Sequence, residues 1–137
     1  MSDRLNYVAA PEFFKLNQAC ELINKAFGSF GCYHVGSSIK RRDYRDVDVR
    51  LILSDEEYDA MFRCNGTGEW VDARWSLMCV SISVWLREVT GLPIDFQIQR
   101  FTQANKDYPR MEDQPRHPLG IFTDMYLADV PSRLHDT

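Results

Sequence analysis

Val35-Gly36-Ser37, followed after eight residues by Asp46-Val47-Asp48-Val49-Arg50-Leu51-Ile52-Leu53, is the stretch whose reading decides the fold. Its second part alternates strictly at the start. Successive side chains of a strand point to opposite faces, so Asp46, Asp48 and Arg50 share one face and Val47, Val49 and Leu51 the other. Two carboxylates two residues apart on a strand therefore point the same way. Upstream, Cys32-Tyr33-His34-Val35-Gly36-Ser37 reads as a strand over 32–37. Residues 38–45 form a polar connection that carries Lys40, Arg41, Arg42 and Arg45.

Outward from this stretch, helices and strands alternate. Phe13, Leu16, Cys20, Ile23 and Phe27 recur at helical spacing, which predicts a helix over 11–28, with Pro11 in its first turn and Gly28 at its end. Ser54-Asp55-Glu56-Glu57 is a capping box that opens a short helix with Tyr58, Met61 and Phe62 on its apolar face. Asn65-Gly66-Thr67-Gly68 reads as a loop. Asp72 then starts a long helix to about Thr90, with Trp75, Met78, Ile82, Trp85, Leu86 and Val89 as the expected buried face and Gly91 as its stop. Ile94-Asp95-Phe96-Gln97-Ile98-Gln99 is a third strand, with Ile94, Phe96 and Ile98 facing the core. After residue 100, Pro109, Pro115, Pro118 and Pro131 predict an irregular segment over 101–137, with a short helix at Phe122–Asp129. The expectation is one α/β (α+β) domain over 1–137, with no internal repeat.

Composition narrows the function classes. The chain has 137 residues and 12% aromatic side chains, enough for a real core. Its net charge of −4 disfavours a protein that coats nucleic acid non-specifically. No apolar run approaches the ~20 residues that span a bilayer, and Met1-Ser2-Asp3-Arg4-Leu5 lacks a secretory pattern. Cys20, Cys32, Cys64 and Cys79 are scattered without a C-x-x-C pair, as expected of buried thiols in a cytoplasmic protein. Cys32-Tyr33-His34 lacks the two further spaced ligands of a zinc site, and zinc is set aside.

The chemistry lies in three acids. If the strands bearing Asp46, Asp48 and Asp95 are neighbours, their carboxylates converge, and a cluster of hard oxygen donors is what Mg²⁺ takes together with phosphate oxygens. Gly36 lets a phosphate approach the backbone, and Ser37 adds a hydroxyl and an N–H. If the connection begins as a helix, its N-terminus favours an anion. A basic cluster beside three acids in an acidic chain suits a triphosphate bridged by metal, with Lys40 and Arg41 nearest the expected helix start.

These residues resemble the nucleotidyltransferase signature of the DNA polymerase beta-like superfamily: a hydrophobic residue with Gly-Ser, a spacer of roughly ten, then acid–hydrophobic–acid–hydrophobic. Ile94-Asp95-Phe96 resembles that family's third acid on a later strand. The resemblance covers about residues 12–100 and is nearest to the small stand-alone members of bacteria and phages. It implies a mixed β-sheet flanked by helices and Mg²⁺-dependent transfer of a nucleoside monophosphate from an NTP, with release of pyrophosphate. Asp46, Asp48 and Asp95 would hold metal and act in catalysis. Gly36, Ser37, Lys40 and Arg41 would hold the nucleotide. Two departures stand out: the connection contains no glycine, and Arg45 stands where family members often have Ser.

The acceptor is open, with a protein or a nucleic acid among the candidates, and so is the oligomeric state. No membrane partner is expected. The alternative function is a catalytically idle module of the same fold that binds a nucleotide, a nucleic acid or a partner protein, as antitoxin-like relatives do. Bland readings apply to several side chains. Trp75 and Trp85 are expected in the core rather than against a base, and His34 is expected to be structural. Gln97 and Gln99 either line the cleft or form a polar exposed face.

Overall fold

A computed structural model describes residues 6–62, 72–109 and 115–120. The loop expected at 65–68, Cys64 and the helix expected at 122–129 lie outside the described residues. Among these residues, nine elements follow in order: α1 (Ala10–Phe27), β1 (Gly31–Val35), α2 (Ser37–Lys40), β2 (Val47–Leu53), α3 (Asp55–Met61), α4 (Ala73–Thr90), β3 (Ile94–Arg100), α5 (Phe101–Asp107) and β4 (His117–Pro118). Among the described residues they build one mixed sheet in the order β3-β2-β1-β4. β1 runs antiparallel to both β2 and β4, and β2 runs parallel to β3.

Local chemistry accounts for most boundaries. Pro11 sits in the first turn of α1, where its missing N–H costs nothing. Ser54 Oγ accepts a hydrogen bond from Glu57 N at 3.2 Å and caps α3. Asp72 Oδ1 accepts from the N–H groups of Arg74 and Trp75 at 2.8 and 3.1 Å, and Gly91 ends α4 in the left-handed conformation. A parallel β2–β3 pair needs a long crossover, and α3 and α4 lie in it.

The core lies between one face of the sheet and the helices α1 and α4. Val47, Val49 and Leu51 of β2 and Ile94, Phe96 and Ile98 of β3 are buried there, with Leu16, Cys20 and Ile23 of α1 and Leu86 of α4. Burying such side chains is worth roughly 1.5–3 kcal/mol each. The expected strand alternation is observed. The expected buried face of α4 is observed in part: Leu86 is buried and Met78 packs against the core, but Trp85 and Val89 are 38% and 40% exposed, and the polar Ser83 and Thr90 are buried together with Cys79. Trp75 and Ile82 are half-buried against the core.

The reason lies at the free edge of β3. Ser83 Oγ accepts from Phe96 N (2.9 Å) and donates to Phe96 O (3.3 Å). Trp75 Nε1 donates to Ile98 O (2.8 Å), and Arg87 Nε donates to Ile94 O (2.9 Å). α4 thus turns a partly polar stripe towards the sheet because it completes the backbone pairing of an edge strand. Its outer side consequently exposes Leu77, Val80 and Val84.

The segment after residue 100 also departs from the expected irregularity. Phe101–Asp107 precedes the first proline and forms α5. It is anchored by a stack of Phe101 on Phe30, with ring centroids 4.3 Å apart, and by hydrogen bonds from Thr102 N and Oγ1 to the Asp55 carboxylate. His117–Pro118 adds an outer strand beside β1, fixed to α1 by Asn24 Nδ2 donating to Leu119 O (2.9 Å). The chain is therefore an α/β domain with a mixed sheet. No described helix is long and apolar enough to cross a membrane.

Candidate functional site

The face of the sheet opposite α1 and α4 carries the acids. β2 and β3 pair in parallel with Asp48 directly beside Asp95 and Arg50 beside Gln97. Asp46 lies one residue ahead of β2. One carboxylate oxygen from each of Asp46, Asp48 and Asp95 falls within 4.8 Å of the others, so the three acids singled out in the sequence do converge. Asp46 is exposed, and Asp48 and Asp95 are half-buried. All three donors are hard oxygens, the set that suits Mg²⁺ or Mn²⁺ rather than zinc.

Gly36 lies against this cluster. Its φ of +84° is in the left-handed region, and a Cβ built on it would collide with Asp48 Oδ2. From the sequence, Gly36 is expected to leave room for a phosphate. The structure adds a second demand, because only glycine leaves space for the Asp48 carboxylate. Gly36 is also the N-cap of α2, a single turn whose first residue, Ser37, is half-buried. Ser38 is buried and hydrogen-bonded to His34 Nε2 at 2.6 Å, which ties the turn to β1.

Lys40 and Arg41 do not open this turn. Lys40 is the last residue of α2 and Arg41 its C-cap. The Arg41 guanidinium makes a two-pronged pair with Asp43, Nε to Oδ1 at 3.1 Å and Nη2 to Oδ2 at 3.0 Å, on the exposed surface. Lys40, Arg42 and Arg45 are exposed as well. The basic residues thus occupy the loop between α2 and the acid-bearing strand.

Electrostatics distinguish the acids. The Asp48 carboxyl is pushed up to about 6. Burial is the main cause, the Arg50 cation opposes it, and the like charges of Asp95 and Asp46 add to it. Arg50 is the residue that sequence reasoning placed on this face without giving it a part in the site. It is 6% exposed. Its Nη1 donates to the carbonyls of Val49 (3.0 Å) and Asp95 (2.8 Å), and its Nη2 lies 3.9 Å from Asp48 Oδ1 and 3.6 Å from Asp95 Oδ2. The signal was the alternation Asp46, Asp48, Arg50; its depth of burial has no counterpart in the sequence.

Gln97 is half-buried beside Arg50, and Gln99 is buried with its Nε2 donating to Asp107 Oδ2 at 3.0 Å. Of the two, only Gln97 borders open space. A cleft of about 290 Å³ runs between α4 and β3, lined by Trp75, Cys79, Val80, Phe96, Asp95 and Gln97 among others. Trp85 is absent from it. His34 is buried among Phe13 and Ser38, away from the acid face, in keeping with a structural role.

Comparison with family models, curated proteins and solved structures gives no match.

Proposed function

We propose that the chain is a Mg²⁺-dependent nucleotidyltransferase that moves a nucleoside monophosphate from an NTP to a hydroxyl acceptor. The observation that carries this reading is the convergence of Asp46, Asp48 and Asp95 beside Gly36-Ser37. The likeness to the polymerase beta-like signature supports it, with the same order of strand, Gly-Ser turn, two-acid strand and third-acid strand.

The three carboxylates would hold Mg²⁺. That ion, when bound, supplies positive charge to the triphosphate and to the oxygens that attack and leave. The chain's own residues then divide the remaining work. Gly36 gives the Asp48 carboxylate its place, and the Gly36-Ser37 backbone borders the triphosphate. Lys40 and Arg41 would pair with the phosphates, which requires Arg41 to leave Asp43. The acceptor oxygen forms a bond to the α-phosphorus as the bond to pyrophosphate breaks. Asp95 receives the hydroxyl proton and passes it to solvent. The cleft along α4 reaches Asp95, which gives an acceptor a route to that carboxylate.

A second reading has its own support. Arg50 already sits beside two of the acids and Arg41 is already paired, an arrangement that suits an idle module holding a nucleotide, a nucleic acid or a partner protein. One experiment separates the two. NTPs are titrated calorimetrically with Mg²⁺ into the wild type and the Asp46→Asn/Asp48→Asn variant, and pyrophosphate release is then assayed with candidate acceptors. Metal-dependent binding lost in the variant, with pyrophosphate released by the wild type, supports the transferase. Binding without turnover favours the module. Binding that survives the double substitution overturns the metal assignment.

A further inference from the structure

We propose that Arg50 is a built-in counter-ion of the acid cluster, which competes with a divalent cation for Asp48 and Asp95 and so sets how tightly the cluster takes metal. The inference rests on the reading of the three acids as a metal centre.

A guanidinium stays charged at any working pH, and burying it without an anion nearby is strongly unfavourable. Arg50 is nonetheless buried, and among the described residues Asp48 and Asp95 are the carboxylates within 4 Å of it. Its two cross-strand neighbours on the sheet are uncharged. Gln97 is its partner on β3 and Tyr33 its partner on β1. The two bonds from Nη1 to backbone carbonyls fix the guanidinium in place. Nε has no hydrogen-bond partner among the described residues. A side chain placed mainly to make hydrogen bonds would not leave a buried donor unused. Charge is therefore the better account of its position.

The distances fit competition rather than a locked pair. Strong guanidinium–carboxylate bonds are about 2.7–2.9 Å long. The separations of 3.6 and 3.9 Å leave both carboxylates able to turn towards a cation. Three carboxylates and one guanidinium also leave a formal charge of −2, which one divalent ion cancels. Without Arg50 the cluster would repel itself more strongly when empty and attract metal more strongly.

The test is calorimetric titration of Mn²⁺ into the full chain, wild type against Arg50→Met and Arg50→Lys at neutral pH, with thermal melts in chelator and in Mn²⁺. The wild type is expected to bind one ion. Arg50→Met is expected to bind about tenfold more tightly, and its lower melting temperature in chelator should close towards wild type when Mn²⁺ is added. Arg50→Lys keeps the charge and should bind as the wild type does. Unchanged or weaker binding by folded Arg50→Met, or a melting deficit that Mn²⁺ leaves intact, would overturn the proposal. If Arg50→Met is unfolded in chelator, refolding by Mn²⁺ supports the proposal and failure to refold counts against it. A wild type that binds no Mn²⁺ brings down the metal-centre reading itself, a result distinct from loss of the Arg50 effect alone.

Discussion

Gly36 and Asp48 occupy adjoining space so closely that residue 36 cannot carry a Cβ without striking the Asp48 carboxylate. The same glycine has a positive φ of 84°, so an L side chain there is strained before it collides. Gly36→Ala is expected to lose about 2 kcal/mol or more in urea denaturation. It should also lose Mn²⁺ binding, because the displaced carboxylate no longer meets Asp46 and Asp95. A stable Gly36→Ala protein with normal Mn²⁺ affinity would refute this coupling.

Asp48 titrates near pH 6 because burial disfavours its charge. A metal needs the carboxylate. Mn²⁺ affinity is therefore expected to fall as the pH drops through about 6 and to level off above about 7. For folding the sign is opposite. The folded chain holds this proton more tightly than the unfolded chain, so Asp48 lowers stability as the pH rises from about 4 to about 6. Asp48→Asn should gain roughly 1 kcal/mol at neutral pH while losing metal. Urea titrations at acid and neutral pH in chelator check it, and a variant less stable than wild type at neutral pH would contradict it.

His34 is pushed down to about 4 by burial, with the nearby His117 adding to the effect. Its unfolded value is near 6.5, so the unfolded chain takes the proton first. Stability is expected to fall as the pH drops from about 6.5 to about 4, by about 3 kcal/mol from this group, with no further loss from it below that range. His34→Gln should flatten this slope. A wild-type stability curve that is level across the window, once the carboxylates are allowed for, would refute the assignment.

The Ser83 hydroxyl serves both the N–H and the C=O of Phe96 at the outer edge of β3. Ser83→Ala leaves a buried backbone donor without its partner and is expected to cost about 1–3 kcal/mol. Leu77→Ala, on the exposed side of the same helix, should change stability by less than about 0.5 kcal/mol. Paired urea melts distinguish the two positions, and equal effects would mean that the edge bonds contribute little.

Strand alternation carried the sequence reading furthest. Val47, Val49 and Leu51, and Ile94, Phe96 and Ile98, face the core as their spacing requires, which puts Asp48 and Asp95 on the opposite face, and the parallel register of β2 and β3 sets the two side by side. On α4, Trp75, Met78, Ile82 and Leu86 pack on the core as their spacing predicts, and the departure lies at Ser83 and Thr90, polar residues that hydropathy assigns outward. Edge pairing to Phe96 reverses that preference at Ser83, and Thr90 Oγ1 bonds to Leu86 O and Leu92 N. α5 and β4 were missed because they are short and held by distant partners, Asp55 for one and Asn24 for the other. At the site the acids were legible as a pattern. The closeness of Gly36 to Asp48 and the burial of Arg50 depend on how three strands stack, which local spacing does not encode.

The parallel pairing of β2 with β3 also has a kinetic meaning. Arg50 and Asp95 lie 45 residues apart along the chain. The acid cluster does not exist until that long loop has closed, and parallel pairings of this kind form slowly because the closure entropy comes before the contacts. A divalent ion can therefore act on refolding only at its end, capturing the finished sheet and slowing its unfolding, while the rate of the initial collapse stays indifferent to metal.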